Sequence, residues 1–384
     1  MPRRVLARGR AACAWALLVA GVAGCTSGGA ASSTVTVTGK TLTIYVSDAP
    51  TNQPTVAADV FHAEQLAFGQ STKTAGGLSH QMNVVNGKIS DQARTAIQDQ
   101  SAIAYLGEVV PHSSYASLGI TNAVALLQVS PTDTALELTQ STPAVPDAPN
   151  SYYQSFSTYG QTFARVVPTT GREASAQVQE MQALGVSKLY VADDGGPYGA
   201  AIAYALKHAA SGKITITSSQ TGADGVFYGS NSPASAEQFF QRAAAANPSA
   251  KLFGPSALSD PTFASALSPA VRSLYISSPG FRTQDLPLGG TKFVSQFTAA
   301  YGHAPDPQAI FGYEAMSAVL AVLQEAGAKA NDRSTVVHDF LSIKNRQSVL
   351  GTYSINSTGD TNVAPFVFSR LQSGKLVPFA QVQG

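Results

Sequence analysis

The sequence predicts an α/β protein built as two doubly wound, Rossmann-like lobes. Three observations lead there. From Thr41 onward, short β-branched runs alternate with longer amphipathic ones, and such βαβα order implies a parallel sheet covered on both faces. The alternation restarts after the turn-rich STPAVPDAPNSYY at 141 to 153. About 345 residues follow position 40, a length that suits two domains of ordinary size.

Each element follows from its local pattern. TLTIYVS (41 to 47) is strand-like, TVAADVFHAEQLAFG (55 to 69) has apolar residues at helical spacing, and AIAYLGEVV (102 to 110) is a buried strand. YASLGITNA (115 to 123) is predicted to be a helix and VALLQVS (124 to 130) a strand. In the second half, FARVVP (163 to 168) precedes the helical EASAQVQEMQALG; KLYVADD (188 to 194), YGAAIAYALKHAA (198 to 210) and KITITSS (213 to 219) repeat strand, helix, strand. A third cycle runs from AEQFFQRAAAA (236 to 246) through KLFG (251 to 254) to SLYISSP (273 to 279). Helices are predicted over FVSQFTAAYG (293 to 302) and QAIFGYEAMSAVLAVLQEAG (308 to 327), and the end is an antiparallel pair about an SGK turn. No internal repeat of 20 to 50 residues is visible.

The N-terminus carries Arg3, Arg4, Arg8 and Arg10 with no acid among them, then an apolar run from Ala11 to Ala20. That run has the length of a signal-peptide core and is too short to cross a bilayer comfortably. Val22, Ala23, Gly24 and Cys25 resemble the lipobox of bacterial lipoproteins, in which small residues admit a peptidase and the Cys thiol receives a diacylglycerol. Residues 1 to 24 are therefore expected to be a lipoprotein signal, Cys25 the acylated first residue, and 25 to 40, rich in Ser, Thr, Gly and Ala, a flexible tether spanning roughly 20 Å. Cleavage would remove Cys13 and Trp15, leave no thiol for a disulfide or a metal, and leave 20 basic against 23 acidic residues, a net charge of −3. That balance offers nothing for nucleic acid.

Catalytic signatures are missing from the sequence. The six histidines, at 62, 80, 112, 208, 303 and 338, are scattered without His-Glu-x-x-His; there is no Gly-x-Ser-x-Gly elbow, and PLGGTKF lacks phosphate-loop spacing. Asp193 and Asp194 in DDGGPYG are read as a solvated turn pair rather than a cation site. No enzyme activity, cofactor or metal is expected.

Four stretches resemble the type I periplasmic binding proteins, specifically the substrate-binding lipoproteins of branched-chain amino-acid ABC importers: AYLGEVVPHSSYASLGITNAVALLQVSPTDTALELT (104 to 139), LGVSKLYVADDGGPYGAAIAYALK (184 to 207), FTAAYGHAPDPQAIFGYEAMSAVLAVLQEAG (297 to 327) and SVLGTYSINSTGDTN (348 to 362). The resemblance implies a hinge and an interlobe cleft, with the chain crossing between lobes near 165, 279 and 348. Lobe one is then 41–164 plus 280–347, and lobe two 165–279 plus 348–384. It also implies a monomer on the outer face of the cytoplasmic membrane, anchored by the diacylglycerol on Cys25, that captures a small polar solute and hands it to ABC permease subunits. Ligand sensing without import is the other use of the same fold.

By the same resemblance, strand ends and helix N-termini of both lobes face the ligand, whose carboxylate suits their unpaired N–H groups. The family's Ser-bearing turn falls on Pro111, which has no N–H to give, so His112, Ser113 or Ser114 is expected to substitute. Ser113 ranks first and also matches a helix cap. Thr134 and the backbone of Thr132 carry over as ligand contacts; Asp133 either caps the following turn or supplies a charge the ligand needs. Tyr198 matches the aromatic that closes over the ligand. Ser256 stands where the family's ammonium-pairing acid would be, and Thr55 where its first-lobe aromatic would be. The implied solute is accordingly an amino acid or a related amide or acid.

Overall fold

The computed structural model describes residues 35–384; Cys25, the leader and the first part of the expected tether lie outside them. The first lobe starts with β1 (Thr41–Asp48), which buries Leu42, Ile44 and Val46 on one face and Tyr45 on the other, as a central parallel strand must. Then follow α1 (Pro54–Gln70), β2 (Thr74–Ala75), β3 (Leu78–Asn86), α2 (Ile89–Gln98), β4 (Ala102–Leu106), α3 (Tyr115–Asn122), β5 (Leu127–Ser130), the one-turn α4 (Phe156–Tyr159) and β6 (Phe163–Arg165). The sheet runs β2-β3-β1-β4-β5-β6 and is parallel except at its β2–β3 edge.

In the second lobe come α5 (Thr170–Ala183), β7 (Lys188–Asp193), α6 (Pro197–Ala210), β8 (Thr215–Thr217), β9 (Gly225–Gly229), α7 (Pro233–Ala246), β10 (Lys251–Gly254), α8 (Pro261–Ala266) and β11 (Leu274–Pro279). The chain then returns with α9 (Leu288–Tyr301), α10 (Ala309–Ala326), α11 (Arg333–Leu341) and the hairpin of β12 (Arg346–Ser348) and β13 (Gly351–Tyr353), before β14 (Pro365–Gln372) and β15 (Lys375–Gln383) complete the second sheet. Its order is β15-β14-β11-β10-β9-β7-β8, parallel from β8 to β11 and antiparallel at β14 and β15. The predicted fold class of two doubly wound lobes is the observed one.

Each sheet is covered on both faces. In lobe one, Ala63 and Phe68 of α1 join Phe297, Phe311, Met316 and Phe340 of the returning helices on one side, and Ala93, Ala96, Tyr105 and Leu126 close the other. In lobe two, Val178, Met181, Ile202 and Leu206 cover one face and Phe239, Phe240 and Phe263 the opposite one. The first of these clusters also takes in Leu118, Leu138 and Phe163, so apolar packing continues from lobe one into lobe two.

Three sequence expectations need revision. Tyr353 and Ile355 pack in the lobe-one core, so the third crossing lies between Ile355 and Pro365, not near 348; burying those two side chains outweighs an earlier exit. The 25–40 tether does not extend to Lys40 as free chain. Val37 is buried, its N–H donates to the Asn331 carbonyl at 2.7 Å, and the Arg333 N–H donates to that of Val35 at 3.0 Å. Between 70 and 101, where the sequence pattern predicts no element, lie β2, β3 and α2; β3 is largely polar and buries only Leu78 and His80.

Candidate functional site

In each open sheet the strand order reverses beside the first strand of the lobe, at β1/β4 and at β7/β9, and crevices form outside the strand ends at such points. A cavity of about 320 Å³ opens at the ends of β1 and β4, lined among others by Ser47, Asn52, Phe61, Glu108, Val110 and Ser113. Beside it, the turn before α3 meets the loop after β9 through Asn231, and the loop after β5 meets α6, with Tyr198 near Thr134 and Ser256. This is where the expected site residues gather.

Asp133 is fully buried, and its carboxylate takes three amides: Oδ1 from His112 N–H at 2.6 Å and Ala135 N–H at 3.1 Å, Oδ2 from Ser114 N–H at 2.9 Å. It does cap its own turn, through Ala135, and it also fills the amide cluster that opens α3. Burial pushes its carboxyl up, against the Ser114 amide, the charge of Arg165 and the other amides. The Thr132 hydroxyl donates to the Val109 carbonyl at 2.7 Å, which ties the two loops together.

His112 adopts a φ of 76°, a conformation open to His in tight turns. Its ring stacks on Tyr115 at 4.7 Å between centroids, and Nδ1 lies 2.7 Å from Oε1 of the buried Glu137. That contact is an ion pair out of line for a hydrogen bond, so neither atom has a hydrogen-bond partner. Burial draws the imidazole pKa down, yet Glu137 and then Asp133 hold it above the ordinary value.

Ser113 does not cap α3. Its hydroxyl turns back to the Val110 carbonyl at 2.5 Å, and the N-cap position belongs to Ser114. Thr55 is exposed, and its N–H is one of two from the start of α1 that Asp260 of the other lobe accepts.

From lobe two, Tyr198 sits in the first turn of α6, 1% exposed, with its hydroxyl unpartnered. Burial raises its pKa well above the usual value, with the Glu173 charge adding to this and the hydroxyls of Ser256 and Thr134 opposing it. Thr134 Oγ1 is likewise buried without a partner. Ser256 gives its N–H to Glu173 Oε1 at 2.6 Å and its hydroxyl to Oε2 at 3.0 Å, while Ser277 donates to Oε1 at 2.6 Å. An acid therefore does stand at this position, supplied by α5, and burial pushes it up to about 7.

The lobes are joined by direct bonds around the site. Asn231 Nδ2 donates to the Pro111 carbonyl at 3.0 Å, Asn52 Nδ2 to that of Asn231 at 2.7 Å, and Gln53 Nε2 to that of Ser256 at 3.0 Å. Behind it, the fully buried Arg165 at the end of β6 pairs with Asp360 at 2.8 Å and donates to the carbonyls of Asp133 and Ala135. The structure thus brings together His112, Asp133, Thr134, Tyr198 and Ser256; the hydroxyls of Ser113 and Thr132 each go to a loop carbonyl, and Ser113 also lines the cavity.

Sequence reasoning passed over Glu137, Glu173, Arg165, Asp260 and Asp360. A run such as ELT offers no sign that its acid is buried, whereas the lone Arg in the short strand run FARVVP was a usable signal. Asp193 and Asp194 behave as turn residues: they accept from Gly195 N–H and Gly196 N–H, and Asp194 also from the Ser230 hydroxyl. Among the described residues no three His, Cys, Asp or Glu side chains cluster to hold a metal, and no helix is long and apolar enough to cross a membrane.

A periplasmic binding protein family model matches residues 216–375. No curated protein sequence matches the chain. Among solved structures, it is similar to the leucine-binding protein LivK of Thermotoga maritima, with a TM-score of 0.73 at 16% identity over 89% of this chain and 99% of that one. It is similar to LivJ of Streptococcus pneumoniae in complex with isoleucine, with a TM-score of 0.70 at 13% identity over 90% and 99%. A solute-binding protein from R. palustris in complex with benzoate gives 0.67 at 17% identity over 90% and 96%.

Proposed function

Because the chain has the type I periplasmic binding protein fold, a non-catalytic solute-binding architecture, we propose that it captures a small polar solute between its lobes for an ABC importer. The observation that carries this reading is the meeting of buried hydroxyls from both lobes, Thr134 Oγ1 from one and Tyr198 Oη from the other, close to each other yet neither in a hydrogen bond of good geometry. A buried hydroxyl without a partner is costly, and a solute bonded to both would repay that cost only when the lobes are together. Binding then shifts the molecule toward its closed form, and the permease reads the closed surface. Cys25, acylated, would keep the receptor on the outer face of the cytoplasmic membrane as a monomer.

The test is a thermal-shift screen of the chain over amino acids, amides, amines, polyols and small acids. At least one is expected to raise the melting temperature, because a ligand that binds only the folded state stabilises it. A flat response across all classes would sink the reading. Uptake of the bound solute, measured with the gene deleted, separates import from sensing: import predicts that uptake falls.

A further inference from the structure

We infer, building on the reading just given, that Asp133 excludes carboxylates from this site, and that the solute meets it through N–H or O–H donors, as an amine, amide or polyol does. Every amide that an incoming anion would need at the head of α3 is already bound. His112 and Ser114 N–H, with Ala135 N–H, converge on the Asp133 carboxylate at 2.6 to 3.1 Å, and that side chain is wholly buried. A second anion placed beside it would meet a like charge at low dielectric, which is strongly unfavourable.

What remains unsatisfied nearby asks for donors. Both oxygens of Glu137, itself fully buried, lack a hydrogen bond; Oε1 has only the off-line imidazole of His112 and Oε2 has nothing. Thr134 Oγ1 and Tyr198 Oη can each accept a bond as well as donate one, which suits an amide or a hydroxyl. Glu173 is already committed to donors from Ser256 and Ser277, so it offers nothing to an incoming carboxylate. The similar structures are described in complex with isoleucine or benzoate, both carboxylates, so this chain differs in the charge of the group it can accept.

Matched pairs test it: leucine against leucinamide, and benzoate against benzylamine and benzamide, with glycerol and glucose as polyols, titrated by calorimetry into wild-type protein and Asp133→Ala. Wild type is expected to bind at least one donor compound and neither carboxylate. Asp133→Ala frees the amides and should gain affinity for a carboxylate by at least roughly tenfold, as expected for charge-assisted hydrogen bonds. Circular dichroism checks folding, and Asp133→Ser, which keeps one acceptor, replaces the alanine variant if that fails to fold. Wild-type binding of leucine or benzoate as tight as the variant's overturns the inference while leaving the solute-receptor reading intact. Binding of donor compounds with no carboxylate gained by either variant overturns it too. If no compound of any class binds any of the proteins, the receptor reading falls and this inference with it.

Discussion

Glu173 illustrates how one side chain couples the site to pH. Its carboxyl is buried with three donors around it and is pushed up to about 7. A group whose folded pKa lies above its unfolded value contributes stability that is complete below the unfolded value, near 4.5, and lost as pH rises through the folded one. At about 1.4 kcal/mol per unit, roughly 3 kcal/mol is at stake. Glu108, also near 7, and His112, raised by Glu137, act with the same sign. Urea unfolding should therefore show wild type losing stability between pH 5 and pH 8, and Glu173→Gln losing distinctly less. Equal losses would mean that Ser256 and Ser277 hold the charged form as well as water does.

At the scale of elements, helix starts decide how the lobes meet. Asp260, fully buried, caps its own α8 through Thr262 N–H at 2.8 Å and reaches across to the start of α1, accepting from Thr55 N–H at 3.0 Å and Val56 N–H at 3.3 Å. A single cap is worth about 1 kcal/mol. Asp260→Ala removes two and should cost about 2 kcal/mol in thermal unfolding. Small-angle scattering should show a larger radius of gyration for this variant. An unchanged radius would mean that the shared apolar cluster alone holds the lobes together. Close approach matters as well: a Cβ on Gly199 would lie 2.6 Å from the Gly229 carbonyl, so α6 can seat Tyr198 at the cleft only because that position is glycine.

For the whole molecule, the crossings are tied by one ion pair. Arg165 leaves lobe one on the first crossing and Asp360 lies on the third; both are buried and joined at 2.8 Å, and Arg165 N–H donates to the Gly359 carbonyl at 2.8 Å. Gly359 has a φ of 83° and packs directly on the Phe163 carbonyl, leaving no room for a side chain. Removing one partner of a buried pair strands the other, at a cost of about 3 to 5 kcal/mol. Arg165→Met should lower the urea midpoint accordingly, and adding Asp360→Leu should recover much of the loss. A double variant no better than the single would show that the donations of Arg165 to Asp133 and Ala135 carbonyls dominate.

The architecture was legible in the sequence because hydrophobic period is a local property: apolar runs such as TLTIYVS and amphipathic ones such as TVAADVFHAEQLAFG become the strand and helix they predict, and their alternation implies the parallel sheets. Part of the site was legible too, since the loops after β4 and β5 carry His112, Asp133 and Thr134. What each polar residue bonds was not, because charge compensation joins residues far apart in the chain. Glu173 meets Ser256, Arg165 meets Asp360, and Asp260 meets Thr55. Likewise β3 shows too few apolar residues to announce itself, and the third crossing depends on where Tyr353 and Ile355 find a core. Sequence determined the two lobes and the loops between which a solute would lie; only the folded molecule decided that Asp133 would occupy the amides at the head of α3, since an acid and the distant N–H groups of His112 and Ser114 converge only after packing has excluded water from them.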